Sequence, residues 1–490
     1  MFIYTFALFW IAIAFAIRYV YSYWDRHGVP NVKPHIPYGN LKKVANQTES
    51  FGVATNELYQ ESKERLVGIY LFFRPAILIR DAILGHQIMT TDFSYFHDRG
   101  IYYDEESDPF SANLFALPGK PWRNLRNKFT PLFTGGQLRN MMPTIMDVGH
   151  KFQKYLEPSA EKNEVLEMRD LVSRCVLQII ASVFFGIEAN CIQDPNDSFS
   201  LTLRESQAKG FLNNVRSAAT FVCPGLLKII RTTSLTPEMI NFVTGIVTEQ
   251  IEYREKNNIT RKDFIQLLID LRREDSRNNE VVLSLEQCAA NVFLFYVAGS
   301  DTSTSAISFT LHELTQNPET MNTLQAEIDE MLVKTNGELT YNGIKEIAYL
   351  DHCVKETLRK YPGLPILNRE CTNNYAVPNS DIVIKKGTQV VLPLLAYGMD
   401  EQYFPEPERY YPERFDKSTK DYDEKAFYPF GEGARNCIGF RMGVMVTKIC
   451  LVLLLSKFNF EATRGPKISF CATTVPLLPK GGIPLKISTR

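Results

Sequence analysis

Phe430-Gly431-Glu432-Gly433-Ala434-Arg435-Asn436-Cys437-Ile438-Gly439 is the stretch that decides how the rest of this chain is read. Glycines at 431, 433 and 439 let a backbone turn tightly and approach a flat ligand closely. Arg435 can pair with an anionic substituent of such a ligand. Cys437, in a tight loop sheltered by Phe430, fits a thiolate held by a metal ion. An isolated cysteine is more often a buried structural residue. Against that blander reading, the five fixed positions of F-x-x-G-x-R-x-C-x-G coincide by chance about once in ten thousand chains of this length.

The chain around the stretch is a globular enzyme by composition. Its 490 residues are 45% hydrophobic and 12% aromatic, enough apolar material for a large core. Charged residues make up 22% and the net charge is −1, without the basic excess of a nucleic-acid binder. Nine cysteines stand scattered with no C-x-x-C pair, which argues for a reducing compartment rather than a disulfide framework. The seven histidines show no zinc-type spacing.

Residues 2–17 carry no charge, and Arg18, Tyr19, Tyr21, Tyr23 and Trp24 follow. About 20 mainly apolar residues span a bilayer, with Arg18 snorkelling and the aromatic rings at headgroup level. Positive charge lies after the segment, which leaves everything downstream on the cytosolic side. A cleaved signal peptide would need a charged start and a small-residue cleavage site, and neither is present. Three sequons, at Asn46, Asn196 and Asn258, would then never meet the glycosylation machinery. The division is therefore 1–24 anchor, 25–40 proline-rich hinge (Pro30, Pro34, Pro37) and 41–490 catalytic domain. Prolines so spaced make a stiff connector that holds the body at a set tilt.

The fold class expected is mainly α with small β-sheets. Residues 67–79 read as two strands joined at Arg74-Pro75, and strand signals return near 382–397 and 468–488. Helices are expected over 121–129, 166–186, 285–317, 319–334 and 351–361. Ser284-Leu285-Glu286-Gln287 is a capping box and Pro318 closes the far end, giving a helix about 50 Å long that must cross the core. Mid-helix Gly299, in Ala298-Gly299-Ser300-Asp301-Thr302-Ser303, costs about 1 kcal/mol and calls for a local reason. Glu356-Thr357-Leu358-Arg359 places acid and base one turn apart, a spacing that solvated helices also produce.

Together with Pro412-Glu413-Arg414-Phe415 upstream of Cys437, these motifs resemble those of the cytochrome P-450 haem-thiolate monooxygenases, in order and over essentially the whole chain. The resemblance implies haem b with Cys437 as axial ligand, cradled by Phe430, Gly431, Gly433, Arg435 and Gly439. It implies a three-charge cluster of Glu356, Arg359 and Arg414 near the haem loop. It makes 298–303 the oxygen-binding turn, where the helix bulges, with Ala298 and Gly299 in the turn and Asp301 and Thr302 relaying protons. Trp122 and Arg126 fit W-x-x-x-R on a helix flanking the haem, and Arg369 a third propionate position; each alone would be an ordinary surface or structural residue. The stretches Phe93-Ser94-Tyr95-Phe96-His97-Asp98-Arg99-Gly100, Asp108-Pro109-Phe110-Ser111, Leu114-Phe115 and 122–131 are similar to the insect microsomal family-six branch, linked to detoxification of plant compounds and insecticides.

The reaction so implied inserts one atom of O2 into a lipophilic molecule at the endoplasmic reticulum membrane. Electrons from NADPH would come through a reductase, with cytochrome b5 as a second donor, since the chain carries no flavin or nicotinamide motif. Lys120, Arg123, Lys128 and Arg139 offer a basic docking face or an ordinary solvated surface. Phe110, Phe115, Phe211, Phe221, Phe295 and Val475 would line an apolar pocket, although each could equally be core. An endogenous lipid or hormone hydroxylase is the alternative, with a haem-thiolate isomerase or a non-catalytic haem sensor behind it. The intact Asp301–Thr302 pair argues against both of the last two.

Overall fold

The computed structural model describes residues 2–206, 216, 219–231, 233, 235–278 and 281–490. Its organising element is the helix Leu285–Gln316. At its start Gln287 N donates to Ser284 Oγ and Ser284 N donates to Gln287 Oε1, both at 3.0 Å, so two donors at the helix end are satisfied. Pro318, which cannot continue a helix but is tolerated in a first turn, begins the next one, Pro318–Lys334. Helices Met168–Ile180, Pro237–Asn257, Ala348–Lys360 and Phe440–Lys457 pack around the long helix and bury most of it.

Among the described residues, nine strands make three small sheets: β1 Leu66–Leu71, β2 Arg74–Ile79, β3 Val165–Glu167, β4 Leu367–Glu370, β5 Tyr375–Ala376, β6 Val383–Ile384, β7 Gln389–Leu392, β8 Phe458–Ala462 and β9 Pro484–Thr489. Their orders are β1-β2-β7-β4, β3-β9-β8 and β5-β6, and only β2 and β7 are parallel neighbours. One apolar core surrounds the long helix; a second, with Ile69, Ile77, Val390 and Tyr397, is built on the four-stranded sheet. The site described below lies where the two meet.

Several expectations shift. The turn between β1 and β2 is at Phe72-Phe73, not Arg74-Pro75. Pro75 stands one residue ahead of Ala76, where pairing with β7 begins, so its missing N–H costs no ladder bond. The helix expected over 166–186 starts at Met168, because 165–167 pair with β9 and the Glu167 carboxylate caps Arg169 N and Asp170 N. It passes into a π-helical turn, Ala181–Phe185, that ends on Gly186. The stretch 382–397 holds two short strands and the start of a helical turn, Leu394–Gly398, after Pro393; in 468–488 only β9 forms a strand.

At the N-terminus, helix Phe2–Tyr21 leaves most of the apolar side chains between Ile3 and Tyr19 exposed, and Ile3–Tyr21 is long and apolar enough to cross a bilayer. Tyr21 and Trp24, expected to present their rings to the headgroups, are instead covered by protein. Both are buried against the sheet: Trp24 Nε1 donates to Ile69 O at 2.9 Å and Tyr70 Oη donates to Tyr21 O at 2.9 Å. Gly68 makes this possible, since a Cβ there would come within 2.5 Å of the indole. Residues 25–40 follow β1 closely, with Gly68 N donating to Pro30 O, Val32 N to Gly68 O and Asn40 N to Tyr70 O.

Candidate active site

The loop before helix Phe440–Lys457 is shaped by close approach. Gly433, at φ +71°, brings its Cα so near Met89 that a Cβ would lie 2.0 Å from the Met89 carbonyl oxygen. Gly431 also has a positive φ, whereas Gly439 does not; it sits at φ −90° as the cap of the following helix, so the expected tight turn there is absent. Gly439 matters through its N–H, which hydrogen-bonds the Cys437 sulfur, while Cys437 N donates to Phe430 O at 2.9 Å. The Cys437 side chain is accessible although protein surrounds it on nearly every side, so it lines an interior space rather than the outer surface. Burial pushes its thiol pKa up, opposed by the Gly439 N–H and by Arg126 and Arg99.

Four arginines gather around this sulfur from four segments. Arg435 is consumed by protein: Nε donates to His97 O at 2.5 Å, Nη2 to Leu117 O at 2.7 Å, and Nη2 lies 3.4 Å from Asp98 Oδ1. Its guanidinium also lies 4.1 Å over the Trp122 ring. Arg126 donates to Asn436 O at 2.8 Å and to Asn436 Oδ1 at 2.7 Å, bracing the residue before Cys437. Trp122 and Arg126 thus both brace the loop that carries Cys437. Arg99, stacked 4.0 Å over Phe115, and Arg369 are different. Arg99 Nε and Nη1 and Arg369 Nε are buried without an acceptor. Burial brings the Arg369 pKa down to about 10 and that of Arg435 to about 9, against the pull of Asp98. Arg99 is pushed well down by burial and by the like charges of Arg369 and Arg435.

Buried donors without acceptors are costly, so this wall fits a ligand that brings carboxylates. A thiol among cations fits a metal that takes it as thiolate. The residues present therefore suit haem, with Cys437 toward the iron and Arg99 and Arg369 toward the carboxylates. Arg99 was not among the expected site residues. Its only signal was its place in Phe93–Gly100, quoted for likeness alone.

On the long helix the backbone is α-helical through 298–303, with no bulge in the hydrogen-bonding class. A Cβ on Gly299 would meet Ile180 at an ordinary 3.4 Å, so tight packing does not demand glycine there. Ala298 is exposed in a helix whose neighbouring turns are buried, and Thr302 Oγ1 donates to Ala298 O at 2.7 Å. Thr302 also faces Gly363, whose added Cβ would lie 3.3 Å from Thr302 Cγ2. Asp301 pairs with Arg169 at 3.6 Å, a partner outside the expected set.

The charge cluster is fully interior. Arg359 Nε and Nη2 each meet Glu356 at 2.8 Å, and Arg414 Nε lies 3.3 Å from the same carboxylate, with all three side chains at 0% exposure. Arg359 also donates to Gly398 O and Arg409 O, Arg414 pairs with Asp421, and Glu356 accepts from Tyr411 N.

The expected pocket wall divides. Phe110 and Phe293 are ring neighbours at 6.1 Å, Phe115 lies under Arg99, and Val475 is half-buried. Phe295 is core, packed among Phe129, Phe133, Phe184 and Phe264. Two residues along a helix turn the side chain by roughly 200°, so Phe293 and Phe295 must face opposite ways. Phe221 gives its carbonyl to Arg74; Phe211 lies outside the described residues. Of the basic face, Lys120, Arg123 and Arg139 are exposed, but Lys128 is bonded to Asp275 at 2.5 Å.

A family profile described as Cytochrome P450 matches residues 29–486. Cytochrome P450 6d3 of Musca domestica is 44% identical over 501 residues, covering 97% of this chain and 96% of that protein. Probable cytochrome P450 6d5 of Drosophila melanogaster is 40% identical, covering 97% and 96%. Cytochrome P450 6d1 of Musca domestica is also 40% identical, covering 96% of each.

Proposed function

The chain belongs to the cytochrome P450 family, and on that premise we propose a membrane-anchored monooxygenase that oxidises lipophilic foreign compounds, such as plant toxins and insecticides, with NADPH-derived electrons passed on by a reductase. Family membership implies haem, a cysteine thiolate ligand and oxidoreductase chemistry. The observation that carries the assignment to this site is Cys437: accessible within the protein, held by Gly439 N–H, and ringed by arginines with spare donors.

When bound, haem supplies dioxygen activation at an iron whose thiolate ligand favours O–O cleavage. The chain does the rest. Arg126 fixes Asn436 and with it the approach of the Cys437 sulfur. Thr302 gives its hydroxyl proton to the Ala298 carbonyl, which leaves the oxygen's lone pairs free to accept a proton donor. Asp301, half-buried beside Arg169, is the carboxylate through which protons enter from solvent. Phe110, Phe293 and Val475 give the apolar wall that favours lipophilic substrates and excludes water.

Electron entry is supported by a cleft of about 900 Å³ beside the loop, lined by Phe430, Gly431 and Asn436, with exposed Lys345 and Arg441 in its wall and Lys355 and Lys448 sharing Asp351. With exposed Lys120 and Arg123 it suits an acidic electron donor, the reductase and in some turnovers cytochrome b5. An endoplasmic reticulum location, body on the cytosolic side, is supported by Ile3–Tyr21 and by exposed Phe73, whose ring lies 6.0 Å from that of Tyr21.

The test is spectroscopic first. Microsomes containing the chain, reduced under carbon monoxide, should show a band at about 450 nm that Cys437→Ser abolishes. A histidine-type spectrum, or no change on substitution, overturns the site. Product formed from a lipophilic panel only with NADPH and reductase supports the reaction; turnover of a hydroperoxide without either favours an isomerase.

A further inference from the structure

Asp98 touches every segment that carries one of the four arginines around Cys437. Its Oδ1 accepts from Gly119 N at 2.7 Å, the first residue of helix Gly119–Phe129, on which Arg126 and Trp122 stand. The same oxygen lies 3.4 Å from Arg435 Nη2 in the cysteine loop. Its backbone carbonyl accepts from Glu370 N at 2.8 Å, next to Arg369 in β4, and Arg99 follows it directly in the chain. His97 Nδ1 completes the set at 2.8 Å.

Among the described residues, Asp98 is also the one carboxylate ion-paired with any of those arginines. Four cations against this carboxylate and a thiolate leave two positive charges, the number that the two propionates of haem would offset. Without Asp98 the same wall would hold one uncompensated cation beside the iron. Charge in a buried site acts over several ångströms with little screening.

From this convergence we infer that Asp98 is a positioning residue that joins the arginine wall and, through its charge, sets the reduction potential of the bound haem. The inference rests on the haem-thiolate reading of the site. It assigns the carboxylate two separable tasks: an acceptor oxygen for Gly119 and Arg435, and a negative charge that opposes electron uptake by the iron.

Asp98→Asn separates them, because the amide keeps an acceptor oxygen and loses the charge. Both proteins are prepared full-length in detergent, and the fraction of haem reduced is followed by absorbance during potentiometric titration. The Asn variant should keep its haem and its band near 450 nm under carbon monoxide, while its ratio of reduced to oxidised haem at a fixed potential rises about tenfold, 59 mV for one electron. Asp98→Glu, which keeps the charge, should titrate with the wild type. An Asn variant that titrates with the wild type overturns the inference. So does one that loses haem while Asp98→Glu retains it, or a Glu variant shifted as far as Asn. A wild-type protein with no band near 450 nm would instead sink the haem-thiolate reading itself.

Discussion

Two groups of buried arginines, the pair around Glu356 and the pair beside Cys437, differ in what answers their charge. Arg359 and Arg414 share Glu356, reach Asp421 and backbone carbonyls, and leave only Arg414 Nη2 without an acceptor. Among the described residues Arg99 and Arg369 have no acid partner, and three of their nitrogens have no acceptor. The first group is complete at the end of folding, and its worth is structural. The second is complete only when an anion arrives, and until then it weakens the fold it belongs to. Buried positive charge therefore marks a scaffold where a carboxylate stands beside it and a binding wall where none does.

The largest effect should come from unbalancing the first group. Glu356→Gln strands two buried guanidinium groups and should cost about 3–5 kcal/mol in urea unfolding, enough to abolish most folded yield. A loss below about 1 kcal/mol would show that the two groups are not different in kind. Arg369→Leu should act with opposite signs in the two states. The haem-free protein should gain about 1–4 kcal/mol, because an unpaired buried charge is gone, while haem dissociates at least tenfold faster. Destabilisation of the haem-free form would break the comparison. Trp122→Leu removes the ring beneath Arg435 and should weaken haem retention by about 0.5–2 kcal/mol, read from the same dissociation assay.

The smallest effect is one of pH. Glu370, half-buried beside the wall, has its pKa raised by burial and by Asp98, with Arg74 opposing. The folded state then binds its proton more tightly than the unfolded chain, so this residue's contribution is greatest at low pH and falls as pH rises through the raised value. The difference in Tm between wild type and Glu370→Gln should accordingly change across the interval just above the ordinary glutamate pKa. A flat difference would mean that Glu370 titrates alike in the folded and unfolded chain.

How far each group could be read from sequence follows from how local its chemistry is. Glu356 and Arg359 lie one helical turn apart, and Gly431, Gly433 and Cys437 lie within one loop, so spacing alone displays them. The long helix likewise announces both ends, through Ser284 and Pro318. The wall is built by tertiary contact instead. Nothing in Phe93–Gly100 reveals that Arg99 ends beside Cys437, or that Asp98 meets a helix start and a strand. Arg435 was legible as a cation near the ligand but not as one already consumed by three carbonyls, His97 O, Leu117 O and the more distant Phe115 O. Phe295 shows the converse: the resemblance left it open between pocket and core, and the helical period puts it in the core.

The seating of Trp24 on Gly68 has a consequence for encounters at the bilayer. A body on a slack tether would sample many orientations, and each productive collision with another membrane protein would have to freeze them out. Here the segment after the first helix is stitched to β1 by the indole, by Tyr21 and by backbone hydrogen bonds on either side. With the first helix in a bilayer, as proposed, the remaining freedom would be lateral diffusion and spin about the membrane normal. The search for a partner becomes two-dimensional, with most of its rotational entropy already surrendered during folding.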